Sequence, residues 1–165
     1  MAGKPSPAAV KVLREAAQGR LSGKLAAGPG SPGLSVDIYC DGASRGNPGP
    51  AAAGAVLYER GTAKVLARIS KALGRATNNE AEYVALLLAL QEAQRLGAEG
   101  VAVHADSELV IKQLQGVYKV KHPVMRERHQ EAMRLLAHFK AWSAVHVPRE
   151  CNVEADRLAN LALDH

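Results

Sequence analysis

Aromatic side chains are scarce in this sequence: Phe, Trp and Tyr make up 4% of its 165 residues, with one Trp and one Phe. That disfavours a sandwich of aromatic-rich strands. The 47% apolar content must instead build a core of Ala, Val and Leu, as in α/β domains with closely packed helices. Cysteine is nearly absent as well. Cys40 and Cys151 form no CxxC pair, which argues against a disulfide framework and a zinc site; reduced thiols in a cytoplasm are the expectation. No apolar run approaches membrane-spanning length, and the opening MAGKPSPAAV lacks the unbroken apolar stretch of a signal peptide, so a soluble cytoplasmic protein is expected.

What is present divides unevenly. The length suits one compact domain with a modest appendage. Within residues 1–34, Lys4, Lys11, Arg14, Arg20 and Lys24 stand against Glu15 alone, so this stretch carries most of the net charge of +5. Gly28 to Gly33, GPGSPG, reads as a linker. The expected organisation is a basic arm over residues 1–34 and a domain over 35–165. Inside the arm, Ser6 as N-cap, Pro7 as first helical residue, and Val10, Leu13 and Ala17 at helical spacing indicate one short helix ending at Gly19, docked or free. Such an arm can neutralise phosphates non-specifically, and a solvated tail explains it equally well.

From Ser35, Val36, Ile38 and Cys40 alternate with Asp37, Tyr39 and Asp41, which predicts a strand ending at Asp41. Ala52 to Glu59 and Lys64 to Leu73 read as two further strands around a turn at Arg60 and Gly61. A long helix is expected from about Asn78 to Leu96, closed by Gly97. A fourth strand over Val101 to Asp106 follows, then a short helix capped by Ser107 and running through Leu114. A helix from Val124 to Phe139, a fifth strand over Ala141 to Val147, and a last helix capped by Asn152 and ending near Leu163 complete the domain. This order predicts an α/β fold with a five-stranded mixed sheet, three antiparallel strands and then parallel ones, flanked by helices. In such sheets chemistry gathers beyond the carboxyl ends of the parallel strands.

Asp41 and Asp106 end two of those strands, each followed by a residue that breaks the strand, Gly42 in one case and the capping Ser107 in the other. Either alone is as well explained by turn formation or capping, but the pair together is suggestive. On the following helix, Thr77-Asn78-Asn79-Glu80 fits a capping box, which makes Glu80 structural. Glu82 shares a helical face with Ala85, Leu86, Ala89, Leu90 and Ala93, an apolar stripe that must face the sheet, so its carboxylate needs a partner there. On the last helix, periodicity does not choose between Glu154 and Asp156. Several convergent carboxylates without His or Cys specify a hard cation, Mg²⁺ or Mn²⁺, and such cations bind phosphates.

Four blocks in this order, DGASRGNPGPAAAG, TNNEAEY, HADSELV and HVPRECNVEADRLAN, resemble the signature blocks of the ribonuclease H family and span nearly all of residues 35–165. The resemblance implies a ribonuclease H-like fold and an endonuclease that cuts the RNA strand of RNA/DNA hybrids, leaving 5′-phosphate and 3′-hydroxyl ends. It assigns Asp41, Glu82, Asp106 and Asp156 as catalytic metal ligands, choosing Asp156 over Glu154. Asp41 would bridge two ions about 3.5–4 Å apart, Asp156 would help hold the ion that activates water, and Glu82 with Asp106 would hold the other.

By the same resemblance Ser44, Asn47, Asn78 and Glu108, with Asn79 as a further contributor, would read RNA 2′-hydroxyls in the minor groove. Thr77 and Asn47 match positions that anchor a phosphate of the DNA strand; turn chemistry and capping are their alternative roles. This sequence departs from the familiar bacterial pattern, in which a flexible loop before the last helix carries a catalytic His. Here Val147 to Cys151 contains none, and Arg149 is the candidate substitute, with a plain phosphate or solvent contact equally weighted. His146 is expected to be structural and Trp142 to be core. The basic protrusion with which some members grip DNA is reduced, leaving Lys119 and Lys121 as its remnant. The expected partner is an RNA/DNA hybrid, with double-stranded RNA a second candidate, and the expected state is a monomer. A catalytically weak module that binds hybrid or double-stranded RNA is the competing reading, against which the presence of all four carboxylates argues.

Overall fold

The computed structural model describes residues 9–13 and 33–165. A short helical stretch over residues 9–13 (α1) is docked, with Ala9 and Leu13 buried in the main core. The expected cap at Ser6, the helix end near Gly19 and most of the Gly/Pro linker lie outside the described residues.

The domain runs β1 (Ser35–Ser44), β2 (Gly49–Glu59), β3 (Val65–Ala76), α2 (Asn78–Arg95), β4 (Gly100–Ala105), α3 (Glu108–Leu114), α4 (Pro123–Leu136), β5 (Ala141–His146), a 3₁₀ turn over Arg149–Cys151, and α5 (Val153–Leu163). The strands form one sheet in the order β3-β2-β1-β4-β5. The first three pair antiparallel, while β4 joins β1 and β5 joins β4 in parallel, the mixed sheet that the element order predicts. Val36, Ile38 and Cys40 are buried on one face of β1, as their alternation requires.

α2 lies against β1, β2 and α4. Its buried residues form an unbroken run from Glu80 to Leu90, as befits a helix enclosed on several sides. Gly97 follows its C-cap with φ of 79°, a left-handed conformation that suits glycine. α5 packs on the other face of the sheet, over β1, β2 and β3. No helix among the described residues is long and apolar enough to cross a membrane.

Several boundaries differ from the sequence expectation. β1 continues past Asp41, because Gly42, Ala43 and Ser44 keep pairing with Ala53, Ala52 and Ala51. Gly42 does not break the strand; it permits a close approach of α2. β3 runs on to Ala76, paired with Gly49. α4 starts one residue early, capped by the His122 ring, which accepts from the Val124 N–H at 3.2 Å, and it ends at Leu136 rather than Phe139. Asn152 stands at the N-cap position of α5 but makes no side-chain capping bond.

Candidate active site

Cys40 and Ala105 are the last paired residues of β1 and β4, so Asp41 and Asp106 follow side by side at the carboxyl edge of the sheet. Two glycines bring helices to this edge. A Cβ on Gly42 would stand 2.3 Å from the Glu82 backbone nitrogen, so only glycine lets the start of α2 come so near. Gly54, the register partner of Asp41, plays the same part for α5: a Cβ there would meet the Ala155 carbonyl at 2.2 Å and the Ala159 nitrogen at 2.4 Å. Glu82 and Asp156 ride in on these helices.

Oxygen atoms of Asp41, Glu82 and Asp106 lie within 4.8 Å of one another. Asp41 is also in hydrogen-bonding contact with Asp156. All four line a cavity of about 310 Å³, together with Ser44, Asn78, Ser107, Arg149 and Asn160. Glu154 points elsewhere, bonded to Arg157 at 2.7 and 3.0 Å and facing Arg68 at 3.6 Å.

The electrostatics of the cluster are lopsided. Burial, then the charge of Asp106 and the contact with Asp156, push the Asp41 carboxyl up to about 8. Burial and the charges of Asp41 and Asp106 hold Glu82 well above the usual carboxylate range, although the Gly42 N–H donates to it. Cys40 lies behind them with its thiol pushed well up, chiefly by burial and then by the same carboxylates, and is unsuited to act as a nucleophile. The cation at the cavity is Arg149, whose Nε is 3.6 Å from Asp106 Oδ2, but its side chain is 86% exposed, so solvent screens it. A cluster of oxygen donors with a deficit of positive charge fits a hard divalent cation such as Mg²⁺ or Mn²⁺.

The other sequence-predicted residues fall into two groups. Ser44 and Asn78 line the cavity. Asn47 and Thr77 sit beside it with side-chain oxygens engaged on the start of α2: Asn47 Oδ1 accepts from the Asn78 N–H at 3.0 Å and Thr77 Oγ1 from the Glu80 N–H at 3.2 Å. Glu108 accepts from the Tyr118 hydroxyl at 3.4 Å. Asn79, Lys119 and Lys121 are exposed and outside the cavity lining, as is His146 on β5. Trp142 packs against the core.

Sequence reasoning gave Asn152 a capping role only and did not single out Asn160. Asn160 donates to the backbone carbonyl of Asp156 at 3.0 Å and to its carboxylate at 3.3 Å. Asn152 donates to Asp106 at 3.1 Å. With Asp156 they form a polar stripe spaced by four residues along one side of α5, a signal present in the sequence.

Residues 39–162 match the family model described as reverse transcriptase-like. The chain is 49% identical to ribonuclease HI of Halobacterium salinarum over 129 residues, 78% of this chain and 64% of that protein. The crystal structure of RNase H1 from that archaeon aligns with a TM-score of 0.76 at 48% identity, over 79% of this chain and 98% of the other. The N-terminal RNase H domain of Rv2228c from Mycobacterium tuberculosis aligns with a TM-score of 0.78 at 47% identity, over 79% of this chain and all of that domain. LC11-RNase H1, solved in complex with an RNA/DNA hybrid, aligns with a TM-score of 0.74 at 41% identity, over 78% of this chain and 96% of the other. The chain spans 64% of the full Halobacterium protein and 36% of the bifunctional protein Rv2228c. Because the family model covers most of its length and solved ribonuclease H domains align over nearly all of theirs, the chain belongs to the ribonuclease H family, type 1.

Proposed function

We propose that the domain hydrolyses the RNA strand of RNA/DNA hybrids, leaving 5′-phosphate and 3′-hydroxyl ends, as a cytoplasmic monomer that uses two Mg²⁺ or Mn²⁺ ions. The observation that carries this reading is the convergence of Asp41, Glu82 and Asp106 within 4.8 Å, with Asp41 and Glu82 buried and short of positive charge. The hybrid bound by LC11-RNase H1 supports the substrate class.

Asp41, in contact with both Glu82 and Asp156, is suited to bridge two ions, with Asp156 completing one site and Glu82 and Asp106 the other. Ions held there would lower the pKa of water and offset the charge developing on the phosphate and the leaving ribose oxygen. The remaining work belongs to the chain. Ser44 and Asn78 in the cavity lining, with Asn47 and the exposed Asn79 outside it, offer donors and acceptors to 2′-hydroxyls, and Glu108 an acceptor. The Asn47 amide group and the Thr77 hydroxyl retain donors for a DNA-strand phosphate. Lys119, Lys121 and the basic arm supply non-specific phosphate contacts. Arg149, at the rim beside Asp106, stands in for the absent loop His by countering phosphate charge.

The test presents one end-labelled RNA strand as a hybrid, as an RNA duplex and alone, with Mg²⁺, Mn²⁺ or chelator. Cutting of the hybrid that requires metal is the expected result, and duplex cutting would widen the substrate class. If the folded protein cuts no form in any metal, the proposal is wrong.

A further inference from the structure

Asn152 is 1% exposed, and although it occupies the N-cap position of α5 its side chain does no capping. Its Nδ2 group donates to the Cys40 carbonyl at 2.9 Å and to the Asp106 carboxylate at 3.1 Å. Both acceptors are oxygens, which fixes the orientation of the amide, since the reverse would oppose lone pairs on every side. Asn152 Oδ1 is buried without a hydrogen-bond partner, a cost that a solvent-facing helix cap avoids.

The two acceptors belong to the two parallel strands that deliver the acids. The β1–β4 pairing ends at Cys40 and Ala105, and Asp41 and Asp106 follow. The Asn152 amide therefore supplies the next rung beyond the ladder, from the residue before Asp41 on one strand to Asp106 itself on the other. The second oxygen of Asp106 faces Arg149, a contact screened by solvent, so the buried donor to this carboxylate is Asn152.

We infer that Asn152 is a positioning residue that holds Asp106 against the end of β1, so that Asp106 and Asp41 face one divalent cation before it binds. This rests on the hydrolytic function proposed above. Without the rung, nothing buried ties Asp106 to the end of β1 in the metal-free protein, and the cation must draw the two carboxyls together again. The loss then falls on metal affinity and not on hybrid affinity.

The test is a Mn²⁺ titration of the metal-free full-length protein, with free Mn²⁺ read by electron paramagnetic resonance, for wild type, Asn152→Ala and Asn152→Leu. Asn152→Leu is close in shape and removes the unpartnered Oδ1 along with the donor, which keeps a folded variant in the comparison. Both variants should bind Mn²⁺ on the order of 10- to 100-fold more weakly. The Mn²⁺ concentration for half-maximal cleavage should rise by the same factor, with hybrid affinity in chelator within about twofold of wild type. If wild type binds Mn²⁺ and folded variants match it, the inference fails while the hydrolytic reading stands. If wild type binds no Mn²⁺, both fail.

Discussion

Glu80 and Glu82 lie two residues apart near the start of α2 and are almost equally hidden, at 4% and 7% exposure. Glu80 looks toward α4, where the buried Arg128 places Nη2 3.8 Å from its carboxylate. Glu82 looks toward the strand ends, where its neighbours are Asp41 and Asp106. A buried carboxylate is costly unless a cation lies close. For Glu80 the chain provides that cation from another helix. For Glu82 it provides further anions, and compensation has to arrive from solution. Burial of an acid is therefore a poor marker of a site; buried acids whose nearest charged neighbours are also acids are a better one.

The strongest way to break this contrast is to remove the central acid. Asp41→Asn should lower the cleavage rate on the order of a thousandfold or more, since several kcal/mol of transition-state stabilisation depend on the ions it is proposed to hold. Hybrid affinity should survive, and the urea midpoint of the metal-free protein should rise because the folded state no longer has to keep, on a buried carboxyl, a proton that the unfolded state releases. A preserved rate in a steady-state assay would refute the carboxylate assignment. On the other side of the contrast, Arg128→Met should take this cation from Glu80, and also from Glu131, which Arg128 meets at 3.2 Å, and destabilise the fold by about 3–5 kcal/mol. Adding Glu80→Gln to that variant should recover part of the loss. Denaturant unfolding of the two variants checks this, and a cost near zero for Arg128→Met would mean that Glu80 does not depend on its partner.

How much of this was open to a reader of the sequence depends on range. A strand repeats every two residues, so the alternation of Val36, Ile38 and Cys40 with Asp37, Tyr39 and Asp41 suffices to place Asp41 on the opposite face from the core. A helix repeats every 3.6, so Glu82 can be set on the sheet-facing side of α2, and Thr77 can be seen to cap it. Periodicity is silent about partners distant in sequence. Arg128 beside Glu80, and Asn152 reaching Cys40 and Asp106, depend on how elements pack. Asn152 reads as a cap because asparagine favours that position, yet its side chain is turned inward by two acceptors on neighbouring strands. Gly42 reads as a strand breaker for a similar reason: only the approach of α2 reveals why a glycine is needed there.

A smaller effect should appear in the pH dependence of stability. The Asp41 carboxyl titrates at about 8 in the folded protein, against about 3.9 when unfolded, and Glu82 is raised as well. Between those values the folded state retains protons that the unfolded state has released, so folding stability falls as pH rises through this window. Saturating Mg²⁺ should counter the trend, because it replaces the protons and binds the folded state more strongly as pH rises. Thermal melts in chelator and in Mg²⁺ between about pH 5 and about pH 8 test this. Parallel curves with and without metal would mean that the cluster does not bind the ion.

The smallest effect belongs to an acid that is paired but not buried. Asp164, at the C-cap of α5, meets Arg45 at 2.5 Å with side chains 60% and 50% exposed. Its geometry is closer than that of Glu80 with Arg128, so if pairing distance governed stability this would be the stronger tie. Solvent screening says otherwise, and a carboxylate at the negative end of a helix is mildly unfavourable in any case. Asp164→Asn should therefore shift stability by less than about 1 kcal/mol, and added salt should shrink the difference. Urea unfolding at low and high salt measures it. A loss as large as that of Arg128→Met would mean that proximity, and not burial, decides what a missing counter-charge costs in this protein.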